Sequence, residues 1–307
     1  AETDGLSDFD ADGSFAPTDS DDVPSVQDYS FIGVIDYDVG NNTRIAIGDG
    51  SNGSVNNLAA INELFAATGV GADAGDDPAT KRSEVQYVID QNVDRLQALT
   101  KIANYADNNG ADLATYPAPD AADFAAAGVS GVADDNNIPA LLVKLKSFGS
   151  SSNYAATNTA AELQAFVKTV AIEKIASWAD SDGGNGAAPI LQDYLNAGLV
   201  GPFAAPATAG DAITAALVPV LNELFADAAV ATDAADTASQ QQGIINGAQA
   251  QIEAIAKIAS YADADGAIDL DGDANTGDAN GYDHLTVADF EAAGISGVAD
   301  GTDQSVG

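Results

Sequence analysis

From Val55 onward apolar residues recur at steps of three and four, the period of a helix with one buried face. The clearest stripe runs through Val85, Val88, Ile89, Val93, Leu96, Leu99 and Ile102, and predicts a long helix over Ser83–Tyr105. Matching long helices are predicted over Thr159–Trp178 and Ala238–Tyr261. A shorter helical segment precedes each one, at Asn57–Thr68, Ile138–Phe148 and Ala212–Ala228, and the first and third share Asn-Glu-Leu-Phe at Asn62–Phe65 and Asn222–Phe225. A brief helix follows each, at Ala121–Ala127, Ile190–Ala197 and Val287–Ala293. Upstream the pattern changes. Tyr29–Val39 is dense in β-branched and aromatic residues, and Asn41-Asn42 separates it from Arg44-Ile45-Ala46-Ile47, which predicts a β-hairpin. Residues 1–28 are rich in Asp, Ser, Gly and Pro without a period and read as an extended acidic arm.

Two signatures recur in fixed order. The first, Lys-Ile-Ala-[Asn/Ser]-[Tyr/Trp]-Ala-Asp-x-[Asn/Asp]-Gly, begins at Lys101, Lys174 and Lys257, each time at the end of a long stripe. The second comprises Asp123-Phe124 to Gly128-Val129-Ser130-Gly131, Asp193-Tyr194 to Gly198-Leu199-Val200-Gly201, and Asp289-Phe290 to Gly294-Ile295-Ser296-Gly297. Self-similarity of this kind predicts repeated structural modules in place of one catalytic pocket. The expected fold is therefore mainly α: tandem three-helix units over 55–136, 137–208 and 209–307, preceded by the arm at 1–28 and a hairpin segment at 29–54. The signature lysines are expected to complement helix C-terminal dipoles, and Gly110, Gly183 and Gly266 to terminate the helices.

Composition narrows the function. The 307 residues carry 47 acidic against 10 basic side chains, a net charge of −37 with Asp far outnumbering Glu. Asp prefers caps and turns, which places the acid between helices. This balance argues against nucleic acid and anionic membranes as partners, because phosphate binding needs stripes of Lys and Arg. No stretch has the roughly 20 apolar residues needed to span a bilayer. Zero Cys removes disulfides, thiol catalysis and thiolate metal sites. Zero Met, including at position 1, suggests a processed form or a segment of a longer chain, with no signal peptide visible.

The acidic loops hold the candidate chemistry. Asp107, Asn109 and Asp112, then Asp180, Asp182 and Asn185, follow the first two long helices and read more simply as polar helix-ending turns than as metal sites. The third loop expands to Asp263, Asp265, Asp269, Asp271, Asp273, Asn275 and Asp278, whose alternation places oxygens on one side of a loop as a calcium site does. Asp265-Gly266-Ala267-Ile268-Asp269 resembles the middle of an EF-hand or dockerin loop, but Tyr261 falls at the first ligand position and Gly272 at the twelfth. Starting from Asp269, Ala274 replaces the usual Gly and Asn280 stands twelfth. His284, beside Asp283, is the only histidine, and no nucleophile elbow or second His completes a hydrolytic set. A glycosidase would also need aromatic platforms, whereas Trp178 stands where the other copies have Tyr105 and Tyr261 and reads as core.

Together the two signatures resemble the helical repeat modules of large secreted adhesin, biofilm-matrix or surface-layer proteins of Gram-negative aquatic bacteria. The resemblance covers residues 55–300 and leaves the N-terminal hairpin unmatched. It implies export, calcium stiffening and self-association or attachment. The chain is accordingly expected to be an extracellular structural protein without enzymatic activity: a self-assembling filament, matrix or surface-layer subunit that meets copies of itself or cell-surface and matrix components. The alternative is an adhesive or ligand-binding module of a larger secreted protein. For assembly, Phe31, Ile32, Val34, Ile35, Tyr37 and Val39 are the candidate strand residues that would pair with a neighbour.

Overall fold

The computed structural model describes residues 24–31, 33–38, 43–49, 57–68, 78–108, 113–132, 134–147, 157–181, 183–184, 187–201, 213–227, 235–263 and 285–298. These residues are mainly helical, with a small antiparallel hairpin near the N-terminus. The chain forms two compact units, 1–170 and 171–307.

In the first unit, α1 (Val26–Phe31) leads to strands β1 (Asp36–Asp38) and β2 (Arg44–Ala46), then α2 (Leu58–Thr68), α3 (Pro78–Gln91), α4 (Val93–Asp107), α5 (Ala121–Ala126), α6 (Asp134–Ser147) and the first half of α7 (Ala160–Asp180). The stripe read from the sequence does form the core here. Ile89, Leu96, Leu99 and Ile102 are fully buried together with Tyr37, Ile61, Phe124, Leu141 and Leu145. The strands pair Asp36 with Ala46, Tyr37 with Ile45 and Asp38 with Arg44. Two strands alone are marginal in water, and Asn57 ties this pair to the helices. Its Oδ1 accepts from the Gly48 N–H at 2.9 Å and its Nδ2 donates to the Ala46 carbonyl at 3.0 Å, in a fully buried position.

The second unit holds the rest of α7, α8 (Leu191–Asn196), a 3-10 turn (Ala215–Leu217), α9 (Val218–Ala226), α10 (Ala238–Gly247), α11 (Gln249–Asp263) and α12 (Val287–Ala292). Its core gathers Ile175, Tyr194, Leu221, Phe225, Ile245 and Ile252.

Three expectations need correction. The strand predicted from Tyr29 begins only at Asp36, because Val26–Phe31 is helical and ends at Gly33, whose φ of +81° turns the chain. The long helix predicted over Ser83–Tyr105 is two helices. At Asn92 the side-chain Nδ2 takes the Val88 carbonyl at 2.9 Å, and the backbone N–H moves to the Ile89 carbonyl, so the ladder breaks. The helix predicted over Ala238–Tyr261 likewise breaks at Ala248, just after Gly247, a residue with low helix propensity. By contrast, α7 contains neither Gly nor Asn and runs unbroken for 21 residues.

Candidate functional site

The signature lysines lie nearly two turns before their helices end at Asp107, Asp180 and Asp263, too far back to serve the helix C-termini. Each instead reaches the Asp that opens the second signature. Lys101 Nζ meets Asp123 Oδ2 at 2.5 Å, Lys174 Nζ meets Asp193 Oδ2 at 2.5 Å, and Lys257 Nζ lies 3.0 and 3.1 Å from the two oxygens of Asp289. Every one of these carboxylates also caps its short helix. Asp123 Oδ2 accepts the Asp120 N–H at 2.7 Å, Asp193 Oδ2 the Ile190 N–H at 2.8 Å, and Asp289 Oδ2 the Thr286 N–H at 2.6 Å. The two signatures are thus halves of one latch. One carboxylate fixes the start of a short helix and fastens it to the preceding long one.

Burial grades the three latches. Side-chain exposures are 16% and 3% for Lys174 and Asp193, 31% and 19% for Lys101 and Asp123, and 28% and 18% for Lys257 and Asp289. The Asp289 carboxyl is held below the usual range, first by the Thr286 N–H and hydroxyl and then by Lys257. Asp120 is lowered in the same direction, chiefly by the Asp123 N–H. A depressed carboxylate contributes stability above its unfolded value of 3.8 and loses that contribution as pH falls through its folded value. Acid titration followed by circular dichroism is therefore expected to show stability declining below about pH 4, with Thr286→Val reducing the size of the loss.

The short helix itself occurs a fourth time, as α1, in a segment whose composition predicts arm and strand. Pro24, Gln27-Asp28-Tyr29 and Gly33-Val34 match Pro189, Gln192-Asp193-Tyr194 and Gly198-Leu199 position for position. The backbone confirms the match. The residue after the turn glycine donates back to the aromatic residue's carbonyl in all four: Val34 to Tyr29, Val129 to Phe124, Leu199 to Tyr194 and Ile295 to Phe290, at 2.8 to 3.1 Å. Gly33, Gly128, Gly198 and Gly294 all have φ between +78° and +85°. Gly198→Ala should therefore lower stability by about 1 kcal/mol, measured as a shift in the urea midpoint.

A second lock joins the short helix to the helix that follows it, α1 to α2 and α8 to α9. The Tyr29 hydroxyl donates to Asn62 Oδ1 at 2.7 Å, and Asn62 Nδ2 donates to the Pro24 carbonyl at 2.8 Å. In the second unit the Tyr194 hydroxyl donates to Asn222 Oδ1 at 2.7 Å, and Asn222 Nδ2 to the Pro189 carbonyl at 3.0 Å. Helix α6 aligns with α9 through Pro139 and Pro219 and through an identical alternation of burial, which sets Leu142 at the place of Asn222. There the short helix carries Phe124 in place of Tyr. Hydroxyl and amide change together.

A glutamine then grips the turn. Ser130 donates its N–H to Gln164 Oε1 at 2.9 Å and accepts from Nε2 at 3.3 Å, and Val200 does the same with Gln242 at 2.9 and 3.2 Å. Trp178, read as core, packs on the second unit's core and donates its indole N–H to the Asn222 carbonyl at 2.9 Å.

Of the residues expected to mediate assembly, Val34 and Tyr37 are fully buried in the first unit's own core. They are there because α1 and the Gly33 turn draw this segment onto α2, so neither side chain is presented to a neighbour. Ile35 is 58% exposed. Ile32, Val39 and the Phe31 side chain lie outside the described residues, as do Asp265, Asp269, Asp271, Asp273, Asn275, Asp278 and His284. Asp263 closes α11, and its side chain is likewise outside them. Among the described residues no group of three acidic or histidine side chains converges as a metal site. An open depression in the second unit is lined by Glu173, Ser177, Asp180, Ser181 and Asp236. Among the described residues no helix is long and apolar enough to cross a membrane. Comparison with protein-family models, curated proteins and solved structures finds no match.

Proposed function

We propose that this chain is an extracellular structural protein built from tandem three-helix units, a self-assembling subunit of a bacterial surface filament, matrix or surface layer. The observation that carries the reading is the recurrence of one latch, one turn and one interhelical lock along the chain. The latch and lock residues join neighbouring helices, which is how a repeat architecture gains stability from nearest-neighbour interfaces. The dense Asp surface suits a secreted protein that meets divalent cations, and the expanded loop from Asp263 to Asp278 is the proposed calcium site that stiffens it. Substituting Asp269, Asp271 and Asp273 by Asn should lower the melting temperature in calcium and leave it unchanged in chelator; equal losses in both would reduce the loop to a polar turn.

The assembly test is negative-stain electron microscopy of the purified chain in millimolar calcium and in chelator, with light scattering across a concentration series. Regular polymers support the subunit reading. Particles of one chain's mass at every concentration favour the second reading, an adhesive module, for which the acid-lined depression of Glu173, Asp180 and Asp236 is the supporting feature. Deleting residues 1–48 would be a poor test of assembly, since it removes Tyr29, Val34, Tyr37 and Ile47 from the core.

A further inference from the structure

The four short helices are not equally covered. Phe124 and Val129 are 0% and 4% exposed, and Tyr29, Val34, Tyr194 and Leu199 are buried to the same degree. In α12 the equivalent Phe290 is only half-buried and Ile295 is 45% exposed. The first unit supplies the reason. There the face of α5 lies under the start of α7: a Cβ on Gly128 would stand 4.0 Å from the Ala160 methyl, and Gln164 grips both backbone groups of Ser130. The beginning of α7 is also held from its other side. Glu63, in the Asn-Glu-Leu-Phe of α2, accepts the N–H groups of Ala160 and Ala161 at 3.0 Å each, steadied by Arg95 at 3.1 Å.

Every acceptor part of this arrangement recurs in the second unit. Glu223 stands in the Asn-Glu-Leu-Phe of α9, and Gly294, Ile295 and Ser296 repeat Gly128, Val129 and Ser130. Gln251 takes the place of Arg95, 3.7 Å from where a Gly294 Cβ would be. Among the described residues nothing donates to Glu223 and nothing bonds the Ser296 backbone, and both side chains are exposed. The geometry points to a helix-accepting surface on α9 and α12, formed by Glu223, Phe290, Gly294, Ile295 and Ser296. Its occupant is the first turns of a helix of the α7 kind, with two alanines at its start for the glutamate and glycine, and a glutamine four residues after the first of them for the serine backbone. The inference deepens the tandem-array reading and rests on it: it names where the array accepts its next module.

The test joins residues 133–181 of this chain, which carry α6 and α7, directly after Val298. In that fusion, amide exchange at Ser296 should slow about tenfold relative to the natural chain, as expected for one added hydrogen bond. Glu223→Gln should lower the fusion's unfolding midpoint and be silent in the natural chain. The proposal is overturned if Ser296 exchanges equally fast in both, if Glu223→Gln acts equally in both, or if the added residues bring no new helical ellipticity. A Glu63→Gln variant of the natural chain separates this from the parent reading. It should speed exchange at Ala160 and Ala161; if it does not, the array contact itself fails, whereas if it does and the fusion fails, only the acceptor surface is lost.

Discussion

Replacing Lys174 by Met is expected to destabilise the second unit by about 3 kcal/mol, because it leaves the Asp193 carboxylate, 3% exposed, without its cation. Methionine keeps the length and the apolar stem of lysine, so the loss isolates the charge. The same change at Lys101, whose pair is 31% and 19% exposed, should cost no more than about 1 kcal/mol, since solvent screens the orphaned Asp123. Trp178 is the only tryptophan and lies in the second unit, so urea denaturation followed by its fluorescence reads the Lys174 effect directly. Similar costs at the two sites would mean that burial does not grade the latches. The capping bond from Ile190 to Asp193 survives the substitution, which is why Asp193→Ala should cost more than Lys174→Met.

The second large effect lies in the Tyr194–Asn222 lock. Asn222→Leu removes the acceptor of a fully buried hydroxyl and the donor to the Pro189 carbonyl, with an expected loss of about 2 kcal/mol. Tyr194→Phe alone should also destabilise, since it leaves Asn222 Oδ1 without its donor. Combined, the two should recover part of the loss, with a coupling of about 1 kcal/mol or more, because the pair then becomes the Phe124 and Leu142 combination that the chain already uses. Strict additivity in that double-mutant cycle would show that hydroxyl and amide are independent.

The helical stripes were legible because burial on one face imposes a period that sequence displays. The ends of the short helices were legible too, since each turn needs a glycine at positive φ. The helix α1 was hidden by its own composition: Phe31, Ile32, Val34, Ile35 and Tyr37 read as a strand, and only comparison with Pro189–Leu199 reveals the helical motif. The break at Asn92 follows from one side-chain hydrogen bond and that at Ala248 from the neighbouring Gly247, and both leave the apolar stripe intact. The lysine's role was obscured for a different reason. Its carboxylate partner lies 22, 19 and 32 residues onward in the three copies, across loops of unequal length, so no fixed spacing marks the pair. The acidic loop gives the opposite case, where the spacing of oxygens is plain in the sequence and the calcium experiment tests its role.

The alternation of the locks bears on how such a chain avoids errors while folding. Near-identical elements invite a short helix to dock on the wrong partner helix, a common failure of chains with repeated sequence. Tyr194 seated against Leu142 would bury a hydroxyl without an acceptor, and Phe124 seated against Asn222 would strand an amide oxygen. Each mismatch costs about 1 to 3 kcal/mol, so alternating polar and apolar pairs at successive short helices gives a uniform-looking sequence a means of rejecting its own mispairings.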